Sequence, residues 1–214
     1  MLKSSTYLDN MQIPSFTEVE KGYMAFQQRE KRDAMYKTAT FLVKHFWGKP
    51  SEMADSLGVL LLTWNQAFYR YGLFDFDKLE KCITSNQDLL DRYRERNILN
   101  YLPSDEQSVK HLFQQFLVAL EICEGNKAGT KSPVAVSKAL HLLSPAFFPL
   151  WDGQIAHAYD CYYSYNPQEK YMQFFRQMKN IAENLQHNIS PPIGKTLLKL
   201  IDEYNYARYT KRWV

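Results

Sequence analysis

Apolar residues recur at intervals of three and four along much of the chain, and this spacing restricts the fold more than any other feature. The clearest stripes run through residues 57–71, 109–120 and 171–185. Such spacing places apolar side chains on one face of an α-helix. The sequence shows neither the apolar–polar alternation of a half-buried strand nor the turn signals of a β-hairpin. It therefore predicts an all-α fold.

Helix starts are marked by small polar residues that precede a Glu, a Gln or a proline at the expected distance. The polar pairs are Thr17 with Glu20, Asp77 with Glu80, Ser104 with Gln107, and Asn166 with Glu169, and the proline signals are Ser132-Pro133, Asn166-Pro167 and Ser190-Pro191. The predicted helices cover residues 18–47 (broken near 29–33), 52–70, 77–84, 86–99, 105–124, 133–143, 153–164, 167–187 and 192–209. A chain of 214 residues can bury a core without disulfides or metals, so we expect one domain over residues 1–214.

Composition narrows the classes of protein that fit. The three cysteines lie far apart, which argues against a zinc site, an iron–sulfur cluster or a disulfide framework, and we expect no metal and no cofactor. No apolar run approaches the ~18 residues of a membrane span, and the N-terminus lacks the pattern of a signal peptide. We therefore expect a cytoplasmic monomer that does not bind a membrane. A net charge of +3 permits an anionic partner without requiring one.

The segment from residue 105 to residue 160 carries the most specific pattern. A long amphipathic helix is followed by a polar turn at residues 125–131 that contains two glycines. Ser132-Pro133 then opens a short helix that carries Lys138, and prolines end that helix. Asp152 follows at the predicted start of the next helix.

This order of elements resembles the helix-hairpin-helix DNA glycosylase superfamily. In its lysine-bearing members a glycine-containing hairpin leads to a lysine, and a later loop delivers an aspartate. Residues 134–138 (VAVSK) correspond to the lysine motif and residues 149–155 (PLWDGQI) to the aspartate motif, with the hairpin at about 125–133. Residues 60–67 (LLLTWNQA) are similar to the early helix whose Gln or Asn residues face the gap left by a flipped base. Val134 and Val136 stand where the family has glycines.

The resemblance implies a two-lobed helical bundle with a cleft between the lobes, acting on double-stranded DNA that contains a modified base. The base would be flipped out of the stack. Asp152 would stabilise the positive charge that develops on the sugar, and Lys138 would attack the sugar as the nucleophile. A lysine intermediate also permits strand cleavage by β-elimination. The related enzymes act on oxidised guanine or on the hypermodified cytosines of phage DNA, and the sequence leaves both open.

Further residues are assigned to this site by the same resemblance and by their chemistry. The predicted DNA contacts are Asn65, Gln66, Lys127, Lys131 and Ser132. The predicted base pocket consists of Trp64, Phe68, His141, Trp151 and Tyr159, because aromatic faces stack on bases. Each also has a structural interpretation: Asp152 as a helix cap, Lys138 as a surface lysine, and the aromatic residues as core.

Two other functions compete with the enzyme. A helix-hairpin-helix unit can hold the DNA backbone without catalysis, and such a module has no need of a Lys138–Asp152 pair. An all-α chain can also serve as an interaction domain of a defence system that does not contact DNA. A cleft that holds both side chains favours the enzyme, whereas a hydrophobic exposed patch favours the interaction domain.

Overall fold

The computed structural model describes residues 13–214. Every regular element in this range is helical and none is a strand, so the predicted all-α fold is confirmed. The predicted domain over 1–214 also includes residues 1–12, which lie outside the described residues. The eleven α-helices of the described part are α1 (Phe16–Arg29), α2 (Ala34–His45), α3 (Pro50–Trp64), α4 (Gln66–Tyr69), α5 (Phe76–Ser85), α6 (Gln87–Arg94), α7 (Glu106–Ala119), α8 (Pro133–Leu143), α9 (Gly153–Ala158), α10 (Pro167–Leu185) and α11 (Leu197–Asn205).

Four shorter helical turns complete the described chain. They are 3₁₀ turns at Ile98–Asn100, Pro103–Asp105 and Gly125–Lys127 and a π-helical turn at Tyr206–Thr210. The π-helical turn continues directly from α11 and contacts both α1 and α9. It therefore links the C-terminal helix to the helix that Asp152 opens.

The buried apolar side chains form one continuous cluster that reaches from α1 to α11. The stripes at 109–120 and 171–185 are buried as predicted. The stripe at 57–71 is buried at Leu57 and Leu61, whereas Tyr71 is exposed. The division of the fold into two lobes remains a prediction.

Helix α8 occupies a central position because α2, α3 and α7 all pack against it. Its start is fixed as the sequence predicts: the Ser132 hydroxyl accepts the Ala135 N–H at 3.1 Å, and Pro133 takes the first helical position. On the other side of the molecule, α1 packs against α11.

Several predicted helices are too long at their C-terminal ends. The helix predicted over 52–70 is interrupted at Asn65, which separates α3 from α4. The helix predicted over 153–164 ends at Ala158, because Asp160 adopts a left-handed conformation (φ 53°) and the Cys161 N–H bonds to the Ala156 carbonyl. The helices predicted over 86–99 and 105–124 end at Arg94 and Ala119.

The predicted start of the last helix is wrong. Ser190-Pro191 opens no helix, and α11 begins at Leu197, where the Thr196 hydroxyl accepts the Lys199 N–H at 3.1 Å. The same hydroxyl donates to the Pro145 carbonyl at 2.9 Å. The Thr196 hydroxyl thus pairs both the Lys199 N–H and the Pro145 carbonyl. A helix capped at Ser190 would leave these two backbone groups without this partner.

Two other predicted caps lie two positions too late in the sequence. The first capping box is formed by Ser15 with Glu18 instead of Thr17 with Glu20. Asp75, not Asp77, caps α5. Two further predicted caps make no capping hydrogen bond: α7 begins without a side-chain cap from Ser104, and Asn166 precedes α10 in a left-handed conformation. Pro167 does take the first position of α10, as the sequence predicts.

Candidate active site

A cavity of about 750 Å³ lies between the connection of α1 to α2, the end of α3, helix α8, the loop before α9, and α11. Lys138 and Asp152 both line it. They come from different elements, so the fold brings together the two residues that the sequence proposes as a catalytic pair. The volume of the cavity lies within the range of pockets that hold drug-sized ligands.

The Lys138 amine sits against the C-terminal end of α3. Its Nζ donates to the Trp64 carbonyl at 2.8 Å and to Asn65 Oδ1 at 2.6 Å. Helix α3 ends here, so the Trp64 carbonyl is available to an outside donor. Burial lowers the pKa of Lys138 to about 8, although the charges of Asp152 and Asp202 act in the opposite direction.

The Asp152 carboxylate is held by two donors at the start of α9. Oδ1 accepts the Ile155 N–H at 2.8 Å, and Oδ2 accepts the Thr210 hydroxyl at 2.6 Å. Asp152 is therefore the helix cap that its position predicts, and its side chain also faces the cavity. Within residues 13–214, no ion pair of 4.0 Å or less joins it to Lys138. The two groups share the cavity but are held by separate partners.

Aromatic side chains form part of the walls. Trp64 is half-buried and stacks on Tyr36 with 6.2 Å between ring centres. Trp151 lines the cavity but is only 1% exposed, and its indole N–H donates to the Pro133 carbonyl at 3.2 Å. Phe26 and Tyr206 complete this part of the lining. Sequence reasoning missed these last two residues, because neither lies in a motif.

A second charged pair, Lys199 and Asp202, lines the cavity from α11. Lys199 Nζ lies 3.1 Å from Asp202 Oδ2 and 3.5 Å from Asp33 Oδ2. Burial lowers the pKa of Lys199, but the surrounding carboxylates outweigh it and hold the pKa above its usual value. Burial raises the pKa of Asp202, and the charge of Lys199 opposes this rise. Sequence reasoning missed this pair, since a Lys and an Asp three residues apart are also typical of a solvated helix face.

The connection between α1 and α2 adds positive charge to the lining. Arg29, Lys31 and Arg32 line the cavity and are exposed to solvent. Glu30 lies among them and is also exposed. The three cations outnumber the carboxylates of Glu30 and Asp33 in this part of the lining, and its net positive charge suits contact with phosphate.

Three of the predicted base-pocket residues lie away from the cavity lining. His141 is fully buried, with Nδ1 2.7 Å from the Phe148 carbonyl, and burial lowers its pKa to about 3. Tyr159 is buried and donates to Asn205 Oδ1 at 2.7 Å. Phe68 is half-buried beside the core. All three have the packing of core residues, whereas Trp64 and Trp151 line the cavity.

The residues predicted to contact DNA are dispersed. Asn65 is buried, and its amide nitrogen has no hydrogen-bond partner among the described residues, because the amide oxygen is turned to Lys138. Gln66 is exposed at the start of α4. Ser132 is occupied as the cap of α8. None of these residues lines the cavity.

The predicted hairpin is a surface turn between α7 and α8. Gly125 and Gly129 both have positive φ, at 76° and 81°, as a tight reversal requires. Lys127 lines a separate shallow depression, and Lys131 lies 3.8 Å from Glu121. The two glycines thus lie in the turn itself. Val134 and Val136, which stand where the family has glycines, lie within α8.

No family model, curated protein or solved structure matches this chain. None of the helices in residues 13–214 is long and apolar enough to cross a membrane. The same part of the chain contains no group of three or more His, Cys, Asp or Glu side chains arranged to hold a metal ion.

Proposed function

We propose that this protein is a DNA glycosylase that excises a modified base from double-stranded DNA, with Lys138 and Asp152 as its catalytic residues. The observation that carries the proposal is that both side chains line one cavity large enough for a flipped base. A nucleophile, a carboxylate and aromatic walls within one cavity are the parts that base excision requires.

Asp152 would stabilise the reacting sugar. Breaking the bond between C1′ and the base builds positive charge on the sugar, and a nearby carboxylate lowers the energy of that state. The hydrogen bonds from Ile155 and Thr210 fix the orientation of the carboxylate before substrate arrives. A group that is already oriented costs no reorganisation during the reaction.

Lys138 would act as the nucleophile in its neutral form. A neutral amine has two N–H bonds and one lone pair, and Lys138 has two acceptors, the Trp64 carbonyl and Asn65 Oδ1. Both hydrogens can therefore be donated while the lone pair stays available to C1′. As the N–C1′ bond forms, the bond to the base breaks, and the base leaves with that electron pair and takes up the proton that the attacking nitrogen gives up. Cleavage of the C1′–O4′ bond, with the second proton of the nitrogen passing to O4′, then opens the sugar ring and gives the neutral imine, which borohydride reduces once it is protonated to the Schiff base. The lowered pKa favours the neutral form.

The size of the cavity favours a bulky base over a flat one. A volume of about 750 Å³ accommodates a drug-sized ligand, whereas an unsubstituted base needs only a flat slot. Of the two substrates that the resemblance allows, a hypermodified cytosine fits this volume better than oxidised guanine.

The direct test is borohydride trapping on labelled duplexes that carry oxidised guanine, uracil, an alkylated purine or glucosylated 5-hydroxymethylcytosine. We expect a covalent adduct with the glucosylated duplex that is absent from Lys138→Gln and present in Lys37→Gln, a matched change on the exposed surface of α2. Alkali-labile sites without an adduct would indicate that water, assisted by Asp152, is the nucleophile. DNA binding without base release on any duplex would overturn the proposal and favour the non-catalytic module.

A further inference from the structure

Asp202 is a second carboxylate in the same cavity, and the proposed reaction has no role for it. It lies on α11, and its side chain is 14% exposed. It lines the cavity together with Lys138 and Asp152. The accessible part of a carboxylate that lines a cavity can be reached by a ligand bound there.

The Asp202 carboxylate is held in a fixed position. Oδ2 accepts a hydrogen bond from Lys199 Nζ at 3.1 Å, and Lys199 itself is only 3% exposed. The Lys199 ammonium lies 4.4 Å from the ring centre of Tyr36 and 5.1 Å from that of Phe26. These contacts leave Lys199 little freedom, so the carboxylate it holds is preorganised.

The second carboxylate oxygen lacks a protein partner. Among residues 13–214, no hydrogen bond reaches Oδ1 of Asp202. The nearest cation, Lys199, is shared between Asp202, Asp33 and Glu203 and contacts only Oδ2 of Asp202. An acceptor on a cavity-lining residue that has no partner in the protein is a place where a ligand can supply a donor.

We propose that Asp202 is the residue that recognises the extruded base, by accepting a hydrogen bond from the 4-amino group of a cytosine-type base. This inference rests on the proposed glycosylase function. A carboxylate accepts from the cytosine amino group, which is its usual contact with that base. A uracil-type base carries a carbonyl oxygen at the same position, and two acceptors repel each other. The cavity would therefore select a modified cytosine over the matching uracil.

The test uses two duplexes that carry glucosylated 5-hydroxymethylcytosine or glucosylated 5-hydroxymethyluracil. Both bases carry the same glucosyl group, and they differ in the pyrimidine ring, where one has the 4-amino group and the other has the carbonyl oxygen. We expect the protein to release the cytosine-type base about tenfold faster or more in single turnovers. Asp202→Asn keeps the side-chain shape but can donate to the carbonyl, so it should reduce that ratio about tenfold or invert it. Asp88→Asn is the matched control, because it removes an exposed carboxylate on α6 that does not line the cavity, and it should keep the ratio.

The outcomes separate the inference from the proposed function. If Asp202→Asn releases bases with the ratio of the unaltered protein, the inference is overturned while the glycosylase function stands. Excision of oxidised guanine alone would also overturn it. If no duplex loses its base, the proposed function fails and the inference fails with it. Should Asp202→Asn not fold, as judged by circular dichroism, Asp202→Ser provides the same test, because a hydroxyl donates and accepts and should bring the ratio close to one.

Discussion

At the scale of single residues, the position of the Lys138 amine is the feature that most needs a physical explanation. A lysine in water keeps its proton until well above neutral pH. Here Nζ is removed from solvent and bonded to two neutral acceptors, and burial lowers its pKa to about 8. A carboxylate in contact with Nζ would raise the pKa of Lys138 again. Among residues 13–214, no carboxylate oxygen lies within 4.0 Å of this nitrogen. The separation of Lys138 from Asp152 therefore preserves the reactivity of the amine.

The pH dependence of adduct formation follows from this pKa. Only the neutral amine attacks, so the trapping rate should rise with pH and reach half of its maximum near pH 8, falling about tenfold per unit below that. Single-turnover trapping between pH 6 and pH 9 measures it. A rate that does not change over this range would show that Lys138 is not the titrating nucleophile.

Asp152 has a structural role and a proposed chemical role, and two substitutions separate them. Asparagine caps helices as well as aspartate does, so Asp152→Asn should fold with little loss of stability and lose base release about 100-fold or more. Asp152→Ala also removes the bond to the Ile155 N–H and should cost about 1 kcal/mol of unfolding free energy in addition. Urea unfolding and single-turnover base release measure the two effects. Full base release by Asp152→Asn would show that Asp152 acts only as the helix cap.

At the scale of elements, the sequence predicts helix faces better than helix ends. The stripes at 109–120 and 171–185 are buried because the apolar side chains of each stripe share one helix face. The end of α9, in contrast, depends on one left-handed residue, Asp160, in a segment that the sequence predicts as continuous helix. The start of α11 depends on Thr196, whose hydroxyl also bonds to Pro145, distant in sequence. Local patterns do not contain that information.

Helix α1 packs so closely against α11 that Gly22 has no room for a side chain. Alanine normally stabilises a helix interior relative to glycine by about 0.5–1 kcal/mol. At Gly22, however, a Cβ would lie 2.9 Å from the Tyr204 Cα and 2.7 Å from its Cδ2, and a backbone atom cannot move aside as a side chain can. Overpacking of this kind costs about 1–3 kcal/mol, so Gly22→Ala should be destabilising by about 1–2 kcal/mol.

Urea unfolding measures the effect of Gly22→Ala. Lys21→Ala, an exposed change on the neighbouring position of α1, is the matched control and should stay within about 0.5 kcal/mol of the unaltered protein. A stabilised Gly22→Ala protein would show that α1 and α11 are farther apart than this packing requires.

At the scale of the whole molecule, the sequence could predict half of the candidate site and not the other half. Lys138 and Asp152 lie in motifs only 14 residues apart, so local reasoning pairs them. Arg29 and Asp202 reach the same cavity from α1 and α11, near opposite ends of the described chain. Their contribution depends on which helices meet in three dimensions, and an amphipathic stripe does not specify its partner.

The charged connection between α1 and α2 should contribute to the salt dependence of DNA binding. Lys31 and Arg32 are exposed and line the cavity, and a duplex that delivers a base there would bring its phosphates close to them. Each neutralised phosphate contributes about 0.9 to the slope of log affinity against log salt concentration. The double variant Lys31→Gln/Arg32→Gln should therefore lower that slope by about 2, measured by fluorescence anisotropy with a labelled duplex between 50 and 200 mM salt, which is about the range where such effects are large.

The matched control for this experiment is Lys81→Gln/Arg92→Gln. It removes the same amount of charge from exposed positions on α5 and α6, neither of which lines the cavity. Since a local contact and a general attraction to DNA both weaken at high salt, only the difference between the two double variants identifies the surface that meets the phosphates. A smaller slope for the first variant alone would place the duplex across the mouth of the cavity. Equal slopes would show that DNA approaches through net charge, and that Lys31 and Arg32 make no phosphate contact.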